Sequence, residues 1–348
     1  MNQTPEQFWQ ALVRDSDQRK ATDILFSRGT IYMRVDMDVV QHTKQLDPAG
    51  YRSVLLWPVG EGERLEKLNG PTGSVDFGFA VAGRRFRFNV YRDYSGYSAA
   101  CRPLPSRSFR PDDIGISRQI LRLVSETSRG LILVTGPTGS GKSSTICSLI
   151  DHLNQTKRQN ILTIEDPIEY MFTPGLSIIE QREVGIHVPD FATALKAAMR
   201  QNPDIIFVGE IRDLETATAA LQAADTGHLV FSTLHTQRVF ATISRIIEIA
   251  PANKQSEIRS LLSNTLAMVM GQRLLRRRGG GIVAAREILI NNAAAGALIR
   301  AGKEKSLSNV MVSGRDRGMI DWETCLLDLY KSSMIDEDEY AMHKDTEL

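Results

Sequence analysis

The chain contains little cysteine: Cys101, Cys147 and Cys325 are the three cysteines among 348 residues, and they lie far apart. No two of them form a C-x-x-C pair, which excludes a zinc ribbon. Three isolated thiols are typical of a protein that is kept in a reducing cytosol.

Long apolar runs are also missing. No stretch approaches the roughly 20 apolar residues that a membrane-spanning helix needs, and the most apolar long segment, residues 258–275, is interrupted by Arg259, Asn264 and Arg273. The polar amino terminus lacks the apolar core of a signal peptide. These absences predict a soluble, cytoplasmic protein that would reach a membrane only by docking on a membrane machine.

Charge is nearly balanced, with 42 Lys and Arg against 41 Asp and Glu and a formal net charge of +1. Such a balance gives no overall attraction to nucleic acid or to a membrane surface. Because an aromatic and basic stripe is missing too, a DNA motor is disfavoured and no direct nucleic-acid partner is expected.

The strongest positive signal is the segment LILVTGPTGSGKS at residues 131–143. Its apolar start predicts a strand buried on both faces of a parallel sheet, and its glycines allow backbone N–H groups to converge on an anion. The pattern G-x-x-x-x-G-K-[ST] predicts a phosphate loop in which Lys142 reaches the β and γ phosphates and Ser143 ligates Mg²⁺. The expected ATP contacts are Gly136, Pro137, Thr138, Gly139, Ser140, Gly141, Lys142, Ser143 and Ser144.

Two domains fit the length and the change of pattern along the chain. Residues 1–103 combine an amphipathic helix at 5–19 with strands at 23–27 and 30–40, a helical stretch at 48–69, a hairpin at 74–91 and a further strand at 97–102. They predict a small α+β domain.

Proline-rich residues 104–113 predict a linker. Residues 114–348 alternate strand and helix, which predicts an α/β domain with a parallel sheet, and 282–348 are expected to be mainly helical.

Two short strands of this second domain end in carboxylates. Residues 161–164 lead to Glu165 and Asp166, which at the carboxyl edge of a sheet could hold Mg²⁺ directly or through water; the alternative is an acid that caps a turn. Residues 204–208 lead to Glu210. Many phosphate-loop proteins carry a metal-binding Asp one position earlier, where this chain has Gly209. Glu210 is therefore the candidate general base, and the metal is assigned to Glu165 or Asp166.

Two histidines bracket a third strand within residues 226–236. His228 and His235 would lie about 23 Å apart on a straight strand, so both cannot contact one phosphate. His235, at the carboxyl edge, is the candidate γ-phosphate sensor. His228 fits a subunit contact or a hydrogen-bonded structural role, and Arg212 fits either a solvated helix start or a role in the site.

The segments GPTGSGKS, TIEDPIEY, NPDIIFVGEIRD and TGHLVFSTLHT together resemble the type II/type IV secretion ATPase superfamily, and most closely its twitching-motility, pilus-retraction (PilT-like) branch. The resemblance implies a PAS-like N-terminal domain, a RecA-like ATPase domain and a homo-hexamer. It also implies ATP between the two domains, whose rotation does mechanical work. An inner-membrane platform protein would be the partner, so the chain would be peripheral at the inner membrane.

The resemblance assigns further site residues. Residues 165–169 would be the second acidic motif, Glu210 an atypical Walker B residue, and His228 and His235 the histidine motif, which adds His228 to the nucleotide contacts. Arginines of the N-terminal domain would reach the phosphates. Arg85, Arg87 and Arg102 match them, with Arg102 as the arginine finger, whereas Ser95 replaces another and Arg92 is the nearest substitute.

The subtype leaves alternatives open. Retraction members carry an AIRNLIR helix, and residues 294–300 read AAGALIR. An ATPase of a type IVB secretion or conjugation apparatus is therefore the alternative, and a nucleotide-dependent ring scaffold without turnover is a third hypothesis. The basic residues 276–278 predict a solvated helix end capped by glycine, or else a contact for a membrane platform or lipid headgroups.

Overall fold

A computed structural model describes residues 3–35, 38–43, 46–104 and 109–344. The chain forms two compact units: Met1–Arg107 with Pro167–Met171, and Ser108–Asp166 with Phe172–Leu348. The short segment 167–171 is thus separated in sequence from the rest of the first unit. Arg85 of the first unit contacts this segment, since its Nε donates a hydrogen bond of 3.0 Å to the Ile168 carbonyl.

The first unit contains an antiparallel six-stranded sheet in the order β3-β2-β1-β6-β5-β4. Its strands are Asp23–Ser27 (β1), Thr30–Val35 (β2), Asp38–Gln41 (β3), Ser74–Val81 (β4), Arg84–Asp93 (β5) and Gly96–Pro103 (β6). Its helices are Pro5–Gln18 (α1), Pro48–Leu56 (α2) and Glu63–Asn69 (α3). The hairpin predicted around Ala82 and Gly83 is confirmed, since Val81 pairs with Arg84 and both turn residues have positive φ.

Aromatic side chains fill the core of this unit. Trp9 of α1 is fully buried against Phe26, Phe79 and Phe88, and its indole N–H donates to the Val54 carbonyl at 2.8 Å. The hydrogen bond satisfies the polar end of a large buried ring. Thus α1, α2 and one face of the sheet share a single core.

The second unit contains a seven-stranded sheet in the order β13-β12-β7-β11-β10-β8-β9. Its strands are Gly130–Thr135 (β7), Asn160–Glu165 (β8), Ile178–Glu183 (β9), Ile205–Val208 (β10), Leu229–Leu234 (β11), Leu266–Arg276 (β12) and Ile282–Ile290 (β13). Its helices are Arg118–Glu126 (α4), Lys142–Thr156 (α5), Phe191–Ala198 (α6), Leu214–Asp225 (α7), Val239–Glu248 (α8), Gln255–Thr265 (α9), Ala293–Arg300 (α10), Leu307–Ser313 (α11), Trp322–Lys331 (α12) and Glu337–Lys344 (α13).

Parallel pairing organises the centre of this sheet. All neighbouring pairs from β12 to β9 are parallel, and every residue of β7, β10 and β11 is buried. Strands covered by helices on both faces are nearly continuous apolar runs for this reason. The predicted order, an α+β domain followed by an α/β phosphate-loop domain with C-terminal helices, is confirmed.

The prediction of a helix end at residues 276–278 is wrong. Arg276 closes strand β12 and pairs with Ile282 of the antiparallel β13, and Arg277 and Arg278 lie in the hairpin loop with Gly279–Gly281. A basic residue followed by glycine occurs both at helix ends and in hairpin loops. Only the pairing of β12 with β13 distinguishes the two structures here. Residues 282–290 form strand β13, so the helical part of the region 282–348 starts at Ala293.

No helix among the described residues is long and apolar enough to cross a bilayer.

Candidate active site

The predicted phosphate loop connects β7 to α5. Gly136 is buried at its start, and a Cβ there would lie 2.2 Å from the Gln272 carbonyl oxygen, so no larger residue fits. Gly141 caps α5 with a left-handed φ of 82°, which favours glycine. Thr138 and Gly139 are exposed at the tip of the loop, whereas Ser140 is buried below it.

Lys142 begins α5 and folds back over the loop. Its buried ammonium donates to the carbonyls of Gly136 at 2.8 Å and Pro137 at 3.0 Å, and it lies 3.4 Å from His235 Nδ1. Ser143 and Ser144 follow in the first turn, half-buried, where the positive end of the helix dipole favours an anion. The predicted phosphate ligands therefore lie around one concave turn.

The carboxyl ends of the parallel strands bring the other predicted groups to the same edge. Glu210 follows β10 and His235 follows β11, and their Oε1 and Nε2 atoms are 3.3 Å apart. The second Glu210 oxygen accepts a hydrogen bond of 2.8 Å from Arg212 Nε, and Arg212 lies 3.8 Å from the Asp166 carboxylate. Lys142, His235, Glu210, Arg212 and Asp166 thus form one chain of polar contacts, which includes Arg212 among the site residues by position.

Glu165 ends β8 at this edge but is buried. Its Oε1 accepts hydrogen bonds from Thr163 Oγ1 at 2.6 Å and Gln181 Nε2 at 3.1 Å. Sequence reasoning missed Gln181 because its position depends on the pairing of β9 with β8, in which Gln181 lies opposite Thr163. Within the described parts of the chain, no three His, Cys, Asp or Glu side chains converge as a metal site.

The structure does not bring His228 together with this group. His228 precedes β11 at the opposite end from His235, and its Nδ1 lies 2.9 Å from the Ala223 carbonyl and 3.3 Å from Thr226 Oγ1. This environment agrees with a hydrogen-bonded structural role for His228, one of the two alternatives that the sequence offers. A contact between His228 and a nucleotide stays a prediction from the resemblance.

The predicted arginines all have partners within the first unit. Arg102 is exposed on β6 and pairs with Asp23 at 3.0 Å. Arg87 contacts the Asp76 carboxylate through Nε at 3.1 Å and Nη2 at 2.7 Å, and Arg92 donates to the Gly70 carbonyl at 2.9 Å. Their roles toward a nucleotide remain predictions.

Sequence reasoning also missed the layer beneath the phosphate loop. Gln272 of β12 donates through Nε2 to the Ser140 carbonyl at 2.6 Å, and it accepts at Oε1 from Arg286 of β13 at 2.8 Å. Burial lowers the pKa of the Arg286 guanidinium to about 10, which leaves it cationic near neutral pH. The local sequence gives no signal for the contact between Gln272 and Ser140, since the two residues are 132 positions apart.

Comparison with known proteins agrees with this architecture. The family model described as "Type II/IV secretion system protein" matches residues 95–320. The type IV pilus retractation ATPase PilT of Pseudomonas aeruginosa is 40% identical over 93% of this chain and 94% of its own length. A twitching motility protein of Neisseria gonorrhoeae is 43% identical over 75% of this chain and 70% of its own.

A solved structure is similar across both units. The crystal structure of the pilus retraction motor PilT with bound ADP shares 41% identity, covers 97% of each chain and superposes with a TM-score of 0.89. The chain therefore belongs to the type II/IV secretion system protein family, within which it is a PilT-like ATPase.

Proposed function

We propose that the chain hydrolyses Mg-ATP at the loop 136–144 and, as a ring of identical subunits, uses the energy to retract a type IV pilus. The contact chain from Lys142 through His235 to Glu210 carries the chemical part of the proposal. The names of the similar proteins, a pilus retraction ATPase and a twitching motility protein, support the biological part.

The loop supplies an ATP site of the expected chemistry. The backbone N–H groups of the loop and the N-terminus of α5 favour binding of the phosphates. Lys142 now donates to the Gly136 and Pro137 carbonyls, and on ATP binding it would donate to phosphate oxygens instead. The Ser143 hydroxyl, in the first turn of α5, fits a metal that is held mainly by the phosphates, with Glu165 and Asp166 as further candidates. Bound Mg²⁺ would neutralise charge on the transferring phosphoryl group.

Glu210 suits the general base. Arg212 and His235 contact its two oxygens, and 16% of its side chain stays exposed. A carboxylate held in this way can orient a water molecule and accept its proton as the γ-phosphate is attacked. His235, which contacts both Glu210 and Lys142, would then register whether the γ-phosphate is present.

The remaining assignments follow from the resemblance. Arg102 would serve as the arginine finger and Arg87 as a nucleotide contact, since a guanidinium stabilises charge that spreads over the phosphoryl oxygens. A homo-hexamer on an inner-membrane platform protein, at the cytoplasmic face, would convert turnover into movement of the pilus.

Substitution of Lys142 tests the nucleotide site. Lys142→Ala should abolish Mg-ATP binding in calorimetry and ATPase activity, whereas Lys157→Ala, at the other end of the same helix, should preserve both. Undiminished ATP binding by Lys142→Ala would refute the assigned site.

The biological part of the proposal is tested by expressing the gene in a bacterium that lacks its own retraction ATPase. Restored twitching is expected. An active ATPase that restores no twitching would contradict the proposal.

A further inference from the structure

Gln272 supports the phosphate loop from below. Its side chain is buried, its Nε2 donates to the Ser140 carbonyl at 2.6 Å, and its Oε1 accepts from Thr145 Oγ1 at 2.9 Å. Both ends of the loop pack on Gln272. A Cβ on Gly136 would meet the backbone carbonyl oxygen of Gln272, and a Cβ on Gly141 would lie 3.0 Å from its side-chain Nε2. One side chain thus contacts the loop and the first helical turn after it.

Arg286 fixes the orientation of this amide. Arg286 lies directly opposite Gln272 in the β12 and β13 pair, and its Nε donates to Gln272 Oε1 at 2.8 Å. A guanidinium has only donors and a backbone carbonyl only accepts, so the atom facing Arg286 must be the amide oxygen and the atom facing Ser140 must be the nitrogen. The assignment of the two amide atoms is therefore determined by chemistry.

Arg286 is itself held by backbone carbonyls. Its Nη1 donates to Gly115 at 3.1 Å and its Nη2 to Ile114 at 2.6 Å, so all three nitrogens of the guanidinium have a neutral acceptor. A buried cation in such a setting is stabilised only while these acceptors keep their positions. The segment 114–115 is thereby linked through Arg286 and Gln272 to the phosphate loop.

The bond to Ser140 determines where the next N–H points. In a planar trans peptide the C=O and the following N–H point in opposite directions. Because the Ser140 carbonyl is directed down onto Gln272, the N–H of Gly141 is directed away from it, toward the open side of the loop. An outward N–H at this position is the donor that an anion nest requires.

We propose that Gln272, oriented by Arg286, is a positioning residue that presents the Gly141 N–H to the nucleotide phosphates. The proposal rests on the ATP site proposed above. It predicts that damage to this pair weakens nucleotide affinity more than it slows the chemical step, because neither side chain reaches the reacting atoms.

The first test removes the Nε2 donor of Gln272 and keeps the shape of the side chain. In Gln272→Glu both terminal atoms are acceptors, so the Ser140 carbonyl loses its partner. By calorimetry, the dissociation constant for Mg-ADP should rise about tenfold, the effect of one lost hydrogen bond. KM for ATP should rise by a similar factor with a smaller change in kcat, and the amides of residues 136–145 should exchange with deuterium faster.

Variants of Arg286 provide the second test. Arg286→Met should weaken Mg-ADP binding as well, and Arg286→Lys, which keeps the charge and one donor, should restore part of the loss. Asn291→Asp is the matched control: Asn291 donates to the Ser263 and Leu266 carbonyls in the same sheet region but not to the loop, and its loss should leave Mg-ADP affinity unchanged.

The outcomes separate this proposal from the one it rests on. If Lys142→Ala retains nucleotide binding, the ATP site is wrong. If Lys142→Ala loses binding while the folded Gln272→Glu and Arg286→Met proteins bind Mg-ADP within about twofold of the parent, with unchanged exchange at 136–145, Gln272 has no positioning role. Should Gln272→Glu fail to fold, the comparison of Arg286→Met with Arg286→Lys decides by the same affinity limit.

Discussion

His235 Nε2 lies 3.3 Å from Glu210 Oε1, although the two residues follow different strands. The pairing of β10 with β11 explains this, because parallel neighbours in register end at the same edge. His235 is half-exposed and Glu210 mostly covered, so the imidazole forms the accessible end of the pair.

Glu210→Gln should permit ATP binding and stop hydrolysis. The amide keeps the size of the side chain but cannot accept a proton from water, so kcat should fall about 100-fold or more, within the usual range for a general base. Steady-state ATPase assays together with Mg-ATP binding measure the two effects. Glu215→Gln, an exposed acid in the first turn of α7, is the control and should keep full activity. Normal turnover in Glu210→Gln would remove it as the base.

The two histidines should differ when each is replaced by alanine. His235→Ala removes the group between Lys142 and Glu210 and should lower kcat about tenfold or more with little loss of ATP affinity. His228→Ala removes contacts with Ala223 and Thr226 at the far end of β11, so any effect should appear in thermal stability or subunit association. Equal losses of kcat in both variants, with assembly intact, would contradict this division.

Arg102→Ala should leave ring assembly intact and abolish most turnover. An arginine finger contributes a factor of about 10³ to 10⁵ to phosphoryl transfer, so kcat should fall about 1,000-fold or more while size-exclusion profiles stay unchanged. Arg34 is a close control, since its Nε lies 3.6 Å from the same Asp23 that pairs with Arg102. If Arg34→Ala and Arg102→Ala lower kcat equally, the loss reflects Asp23 and not a finger.

Local motifs and the geometry of parallel strands made half of this site predictable. The phosphate loop is contiguous in sequence, and Glu210 and His235 each follow an apolar strand, so the rule that parallel strands end together brings them near Lys142. The hairpin at residues 74–91 is equally predictable, because the alternation of its apolar and polar residues and its turn are both local features of the sequence.

Contacts between distant segments were not predictable. The bond between Gln272 and Ser140 spans 132 positions, and only the placement of β12 beside β7 creates it. The basic residues 276–278 predict a helix end because glycine after arginine is typical of one, but Arg276 pairs with β13 instead. In both cases the missing information was which strands are neighbours.

Glu287 of β13 belongs to the same class, since nothing in its local sequence indicates its partner. Its buried carboxylate accepts from the Val239 N–H at 2.7 Å and pairs with Arg238 at 3.2 Å, so it caps the start of α8, where no local side chain does.

Glu287→Ala should therefore be strongly destabilising, because it leaves the half-buried Arg238 and the first N–H of α8 without this partner. The expected loss is about 3 kcal/mol, which corresponds to a fall of about 6 to 12 °C in the melting temperature of the second unit. Differential scanning calorimetry measures it. Glu126→Ala removes the exposed partner of Arg122 on α4 and should leave the melting temperature unchanged. A melting temperature for Glu287→Ala that matches the Glu126→Ala control would mean that the buried pair costs as much to desolvate as it contributes.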